Sequence, residues 1–505
     1  MTDESRRGGS QPSGGAPGGP KLYHAGTLTY TKPALAILFF WLLWGDFCYT
    51  LMESVTGPLM QLKFQALGAS NTELGLIAGT IPSLVYSCLN PIISFKSDRF
   101  RSRWGRRIPF IIFTLPCLVS GLVALAYGEH ISTFLRSFLG AASISPATFT
   151  IWTLAVLLVI FTFFNTFVTS VFWYLFNDVV PEHLLARFMS WFRVVGLASA
   201  SVYNLYVLPQ SQTHYTEIFL GAAALYAVGF TLMCFNVREG EYPPPPAYVD
   251  GQTGPVAAIK TYAAECHAFP HYWYLWISTF IGSIGGGVGV FGLLFQKSTG
   301  VDLAHIGKIN FALTLTTGLL VLVSGWLADK YHPIRVAMSG AFLGLFVATP
   351  ATMIWLFWLP SPHIAFLIQL TITIALSAPV AALTGVWDPP LLMRLFPRSR
   401  YGQFCSVNAV WRMVGSIIGG VSAGYFLDKI GGWTKDTAHA YFYIPIWQMC
   451  FGVPSFIILI FLYRSWLKHG GDDKYIAPIL ASASTTMPGQ AQAALASTER
   501  DKDPL

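Results

Sequence analysis

Twelve runs of about twenty mostly apolar residues, beginning near residues 33, 73, 109, 148, 184, 215, 273, 305, 333, 362, 403 and 441, limit what this chain can fold into. In hydrocarbon such runs must satisfy their own backbone hydrogen bonds, so they read as helices and the chain as an all-α membrane protein with twelve transmembrane helices. Composition agrees: 53% of the 505 residues are apolar and 11% are charged, where soluble proteins carry about a quarter charged residues. The net charge of +7 falls in short loops between the runs, so it is a topology signal and nucleic acid is not an expected partner. The seven cysteines (Cys48, Cys88, Cys117, Cys234, Cys266, Cys405 and Cys450) are scattered without CxxC or metal-like spacing. Neither disulfides nor a metal site are expected from them.

Residues 1–32 open with a Gly, Ser and Pro-rich stretch and are expected to form a disordered cytoplasmic tail. A first six-helix bundle is expected over 33–235, a cytoplasmic linker over 236–272, a second bundle over 273–466 and a second cytoplasmic tail over 467–505. The linker carries Glu239, Glu241, the run Pro243 to Pro246 and Asp250. With both tails and the even-numbered connections on one side, 25 Lys and Arg residues fall there and 6 on the other. The positive-inside rule then puts both termini in the cytoplasm and the chain in the cell's inner (cytoplasmic) membrane.

The two halves repeat at an offset near 231. Leu62-Lys63-Phe64-Gln65 answers Leu293-Leu294-Phe295-Gln296, Gly68 and Gly75 answer Gly300 and Gly307, and Ser97-Asp98-Arg99-Phe100 answers Ala328-Asp329-Lys330-Tyr331. Pro181, Phe188, Ser190, Arg193 and Gly196 answer Pro397, Phe404, Ser406, Arg412 and Gly415. Matches that include loop Asp, Pro and Gly point to duplication, hence to two pseudo-symmetric bundles working by alternating access.

Ser97-Asp98-Arg99-Phe100-Arg101-Ser102-Arg103-Trp104-Gly105-Arg106-Arg107 resembles the loop between helices 2 and 3 of the major facilitator superfamily. Its dense form is similar to the glycoside-pentoside-hexuronide:cation symporters, the melibiose permease group, and to sucrose:proton carriers. The resemblance implies a gating role for Asp98 and Arg107, with Asp329 as the second-half copy; Arg99 is a further gate candidate, while Asp178 and Asp388, which close helices 4 and 10, are candidate partners for Arg187, Arg398 or Arg400. The bland reading of these loop charges is topology and contact with anionic lipid.

Asp46 lies about 13 residues into the first run, roughly 20 Å deep, and Glu53 follows one heptad later on nearly the same helical face. Carboxyls at that depth are costly and mark a path or a partner. Trp44-Gly45-Asp46-Phe47 resembles the melibiose group's sugar-contacting first-helix position, with Trp44 and Trp173 as rings for a pyranose face. Arg193 resembles that group's helix 5 arginine; with its counterpart Arg412 it is expected to meet Asp46, Asp178, Asp388 or substrate. The chain also departs from the group. Tyr86 and Asn90 stand where the cation-binding acids of helix 2 are expected, and Thr169 stands where an acid of the sugar site is expected. Asn408 is one of several amides within the spans able to bond solute or a neighbouring helix.

The function expected is secondary active transport of a small polar solute, a sugar or glycoside by resemblance, by proton-coupled symport with no cofactor. Titratable Asp46 and Glu53 make the proton the simplest coupling ion. The alternatives are another organic solute, export, or a different cation. Solute and membrane lipid are the expected partners, and a monomer is the expected state. An enzyme is not expected, because no convergent nucleophile or metal set is visible.

Overall fold

The computed structural model describes residues 22–242, 266–397 and 400–478. Twelve long helical columns follow one another: helix 1 Lys32–Ala66, helix 2 Asn71–Arg99, helix 3 Ile108–Ala126, helix 4 Pro146–Val179, helix 5 Glu182–Val202, helix 6 Tyr215–Asn236, helix 7 Pro270–Ser298, helix 8 Leu303–Tyr331, helix 9 Pro333–Leu356, helix 10 Pro362–Leu395, helix 11 Tyr401–Thr434 and helix 12 Thr437–Lys468. Eleven are long and apolar enough to cross a membrane; helix 5, which carries Arg187 and Arg193, is the exception among the described residues. Helices 1 to 6 and 7 to 12 form the two halves.

Local chemistry sets the helix starts. Proline stands in the first turn of helices 1, 3, 4, 7, 9 and 10, where its missing N–H costs nothing. The duplication is visible in backbone geometry as well. Gly68 and Gly300 both turn the chain at positive φ, 77° and 83°, and both precede a side-chain cap, Ser70 on helix 2 and Asp302 on helix 8. Three columns contain a short π-helical stretch, at Gly75–Thr80, Gly344–Ala348 and Thr373–Ser377, and helix 5 runs on into a fourth at Tyr203–Val207. Such insertions bend a helix and frequently mark functional positions.

Both described chain ends lie on one face, called here the end face; the opposite face is the far face. The tail expected to be disordered over 1–32 is partly ordered: Tyr23–Ala25 pairs with Leu28–Tyr30 as an antiparallel hairpin, whereas residues 1–21 lie outside the described residues. Gly26, at φ 57°, supplies the positive angle its two-residue turn needs. The hairpin is tied down on the first half, where Thr27 accepts the Glu241 N–H at 2.8 Å and Tyr23 stacks on His183 at 5.8 Å. The linker residues Pro243 to Pro246 and Asp250 lie outside the described residues. All seven cysteines are free.

Candidate solute path and gates

The halves are joined in their far-face portions. The Asp428 carboxylate of helix 11 accepts the backbone N–H groups of Asn71 and Thr72, each at 2.8 Å, and the Thr72 hydroxyl at 2.5 Å. It therefore caps helix 2 from the other half, where exposed N–H groups and the helix dipole favour a negative charge. Tyr441 donates to Asn71 Oδ1 at 2.7 Å, Lys297 to Gln65 at 3.1 Å, and Thr80 to the Ile417 carbonyl at 2.7 Å. Glycine makes the closeness possible. A Cβ on Gly75 would stand 2.1 Å from the Gly420 carbonyl, and a Cβ on Gly307 would stand 2.1 Å from that of Asn204. Gly75 and Gly307 are repeat counterparts, so one duplicated contact closes the far face twice.

Just inside this closure, about two helical turns from the far-face ends of helices 1 and 8, lies a cavity of about 390 Å³ between the halves. Its polar lining is Tyr203 and Asn204 from the first half with Gln296, Asn310, Thr352, Gln369, Thr373 and Ser377 from the second, and the buried Trp355 stands in the wall. Gln296 donates to Asn310 at 3.0 Å, and Gln369 donates to Thr299 at 2.6 Å. The Tyr203 hydroxyl and Gln369 Oε1 are buried with no partner among the described residues. Two of the four π-helical stretches, those of helices 5 and 10, contribute to this wall.

A second cavity, about 320 Å³, opens among helices 1, 2 and 4 and contains Glu53 and Thr169. Asn165 donates to Glu53 at 2.5 Å, while Tyr49 and Thr169 share a hydrogen bond at 2.9 Å. Asp46, although on nearly the same helical face as Glu53, meets another neighbour. It is 1% exposed, receives the Thr50 hydroxyl at 3.3 Å, faces Gly196 of helix 5, and feels the charge of Arg193 one turn nearer the end face. Its Oδ2 has no hydrogen-bond partner among the described residues.

The other expected contacts are distributed differently. Trp44 turns towards Gly229 of helix 6 and lines neither of these two cavities. Trp173 packs on Phe192 at 4.9 Å, joining helix 4 to helix 5. Asn408 accepts from Thr279 at 3.2 Å and links helices 7 and 11. Arg412 makes a two-pronged pair with Asp388, both arms at 2.9 Å. Arg398 lies outside the described residues.

At the end face, Arg107 donates to Asp98 and Ser97, each at 2.5 Å, and to Asp178 at 3.0 Å. Arg106 holds the same Asp178 with two arms at 2.9 and 2.5 Å, which pushes its guanidinium further above its ordinary pKa. Asp178 thus meets Arg106 and Arg107, where Arg187, Arg398 or Arg400 were the candidate partners, because the loop arginines arrive at the end of helix 4, Arg106 in bidentate geometry. Arg99 lies over the Phe95 ring at 4.8 Å, and Asp329 forms no ion pair among the described residues. Glu239, read from sequence as part of a linker, caps helix 3 by accepting the N–H groups of Arg106, Arg107 and Ile108 at 2.9, 2.8 and 2.6 Å. Gly105, at φ 101°, leaves room for it, since a Cβ there would stand 2.4 Å from the Glu239 carboxyl carbon. Burial and the Glu239 charge push the neighbouring Tyr242 hydroxyl up.

Exposure ranks these acids. The Asp178 side chain is 9% exposed and serves two arginines, whereas Asp98 is 53% exposed and serves one. Asp178→Ala is expected to cost about 3 kcal/mol, by stranding buried charge, and Asp98→Asn less than about 1 kcal/mol. Thermal unfolding of the two purified variants checks the order; equal losses would contradict it.

The profile described as Major Facilitator Superfamily matches residues 42–390. The chain belongs to the Major Facilitator Superfamily. Solved structures share its fold at low identity. A bacterial homologue of the human lysosomal transporter Spinster, inward-facing and unoccupied, is 16% identical with a TM-score of 0.62, over 89% of this chain and 100% of that one. A variant of the nucleoside transporter NupG is 11% identical with a TM-score of 0.59, over 84% of this chain and 100% of that one. The D-xylose-proton symporter is 13% identical with a TM-score of 0.57, over 84% of this chain and 97% of that one. No curated protein matches the chain by sequence. As a superfamily member it is a multi-pass membrane transporter for a small molecule, and the melibiose permease group remains a resemblance carried by its loop residues.

Proposed function

We propose that this superfamily member carries a neutral, polyhydroxylated solute, a sugar or glycoside, by proton-coupled symport, and that the end face is cytoplasmic. The observation that carries the reading is the polar part of the wall of the cavity between the halves: amides and hydroxyls set among Pro58, Leu208, Leu293, Phe295 and Ile372, with no charged side chain. Amides and hydroxyls donate and accept in the alternation that sugar hydroxyls present, and the apolar part of the wall, Phe295 included, suits the apolar face of a pyranose. That lining offers a metal cation no carboxylate, imidazole or thiolate. The volume of about 390 Å³ suits a monosaccharide or small glycoside, as small-molecule sites run from about 300 Å³ upwards. Structurally similar proteins named for D-xylose and nucleosides also handle hydroxyl-rich solutes, which supports this reading.

The decisive experiment is a thermal-shift screen of neutral sugars on purified protein, followed by counterflow of any hit and by Tyr203→Phe. The Tyr203 hydroxyl has no protein partner among the described residues, so its removal spares the fold and takes one hydrogen bond from the solute. Binding is expected to weaken roughly three- to tenfold, the equivalent of one hydrogen bond. A neutral-sugar screen without hits, or unchanged affinity in Tyr203→Phe, would count against the assignment.

A further inference from the structure

At the end face a third cavity, about 360 Å³, lies where helices 7 and 12 meet, outside the path between the halves. Its mouth carries Arg464 and Lys468, one helical turn apart on helix 12, both exposed and neither in an ion pair among the described residues. No carboxylate lines it. The neighbouring Asp472 is committed to Arg335 at 2.6 Å. The wall behind the two basic residues is built and held. His271 is 2% exposed, bonds Ser465 at 2.8 Å through Nδ1 and the Tyr475 hydroxyl at 3.1 Å through Nε2, while His469 is fixed on the Ser465 carbonyl at 2.7 Å. The returning C-terminal segment supplies Tyr475 to this bond and Pro478 to the lining. On the membrane side the floor is aromatic: Tyr274 stacks on Phe461 at 6.0 Å, and Phe461 is 45% exposed.

We propose that this cavity binds the phosphate of an anionic phospholipid, its acyl chains lying along Tyr274 and Phe461. A guanidinium and an ammonium flanking one pocket suit a phosphodiester, Arg by bidentate hydrogen bonds and Lys as a point charge. The first turn of helix 7 adds its positive end, since Phe269 offers no side-chain cap. Two basic residues on a bare helix would only reach for the headgroup layer. Here they overhang a cavity whose polar back is fixed and whose apolar lip faces lipid, which is the arrangement of a headgroup pocket. The assignment is independent of which solute the carrier moves.

The test uses purified full-length protein titrated with phosphatidylglycerol, phosphatidylcholine or inorganic phosphate, reading the rise in unfolding temperature. Phosphatidylglycerol is expected to bind about tenfold more tightly than phosphatidylcholine. Arg464→Gln combined with Lys468→Gln is expected to erase that preference. Arg464→Lys with Lys468 intact is expected to retain most of it, and Lys32→Gln, an exposed charge removed elsewhere on the same face, is expected to leave it unchanged. Undiminished preference in the double variant overturns the proposal, as does an equal loss in Lys32→Gln. Saturation by inorganic phosphate alone, with no added gain from phosphatidylglycerol, would assign the pocket to a soluble anion and overturn the lipid.

Discussion

Asp428→Ala is expected to shift the carrier's resting balance by about thirtyfold towards the state open on the far face. The wild-type carboxylate accepts three hydrogen bonds from Asn71 and Thr72 across the boundary between the halves, and parting the halves on that face would break them. Each charge-assisted bond is worth about 1.5 to 3 kcal/mol where water is excluded. Opening lets water replace part of them, which leaves about 2 kcal/mol of differential stabilisation, or roughly thirtyfold in population. Sterics give a second handle: a Cβ on Gly424 would stand 2.1 Å from the Asn71 carbonyl, so Gly424→Val is expected to produce the same shift without touching the carboxylate. The readout is a cysteine placed at Asn310 in a background lacking the seven native cysteines, labelled from the far side by a membrane-impermeant maleimide. Faster labelling in both variants is expected; unchanged or slower labelling would refute the lock.

The spans were legible because their signal is local. Apolar runs expected to begin at 33, 109 and 333 begin in the structure at Lys32, Ile108 and Pro333, each at a proline-marked first turn. The duplication was legible for a related reason, since Gly68 and Gly300 answer the same backbone demand and Gly75 and Gly307 the same packing demand. Contacts made through space were not. Glu239 lies 131 residues from the Ile108 N–H that it caps, and Asp428 lies 356 residues from the Thr72 hydroxyl, so neither has a spacing to read. The direction in which Trp44 points was not read from the sequence, for a simpler reason. Two residues on a helix are about 200° apart, so a ring at 44 faces away from a carboxyl at 46. The hairpin at Tyr23–Tyr30 was hidden by the Gly-rich stretch before it, although Gly26 between two short β-prone runs was its signature.

Asp46→Asn is expected to abolish accumulation driven by a pH gradient, with at least a tenfold fall in the steady-state level, while counterflow of the same solute persists. In the wild type one carboxyl oxygen receives a long bond from Thr50 and the other has no hydrogen-bond partner among the described residues; Arg193 is the positive charge near it, without an ion pair to it. An ionised carboxyl so placed must draw in its counter-charge or take up a proton, because an unbalanced buried charge costs several kcal/mol. Those two conditions, arginine-balanced and proton-loaded, are what a coupled carrier needs to alternate between. Asparagine keeps the size of the side chain and loses the choice, so the variant should fold, bind and exchange solute yet no longer follow the gradient. Vesicles with an imposed pH difference measure this directly. Wild-type accumulation with its pH dependence intact would remove Asp46 from the coupling path. If Glu53→Gln alone then abolished accumulation, the proton would be assigned to the cavity shared by Glu53, Asn165 and Thr169.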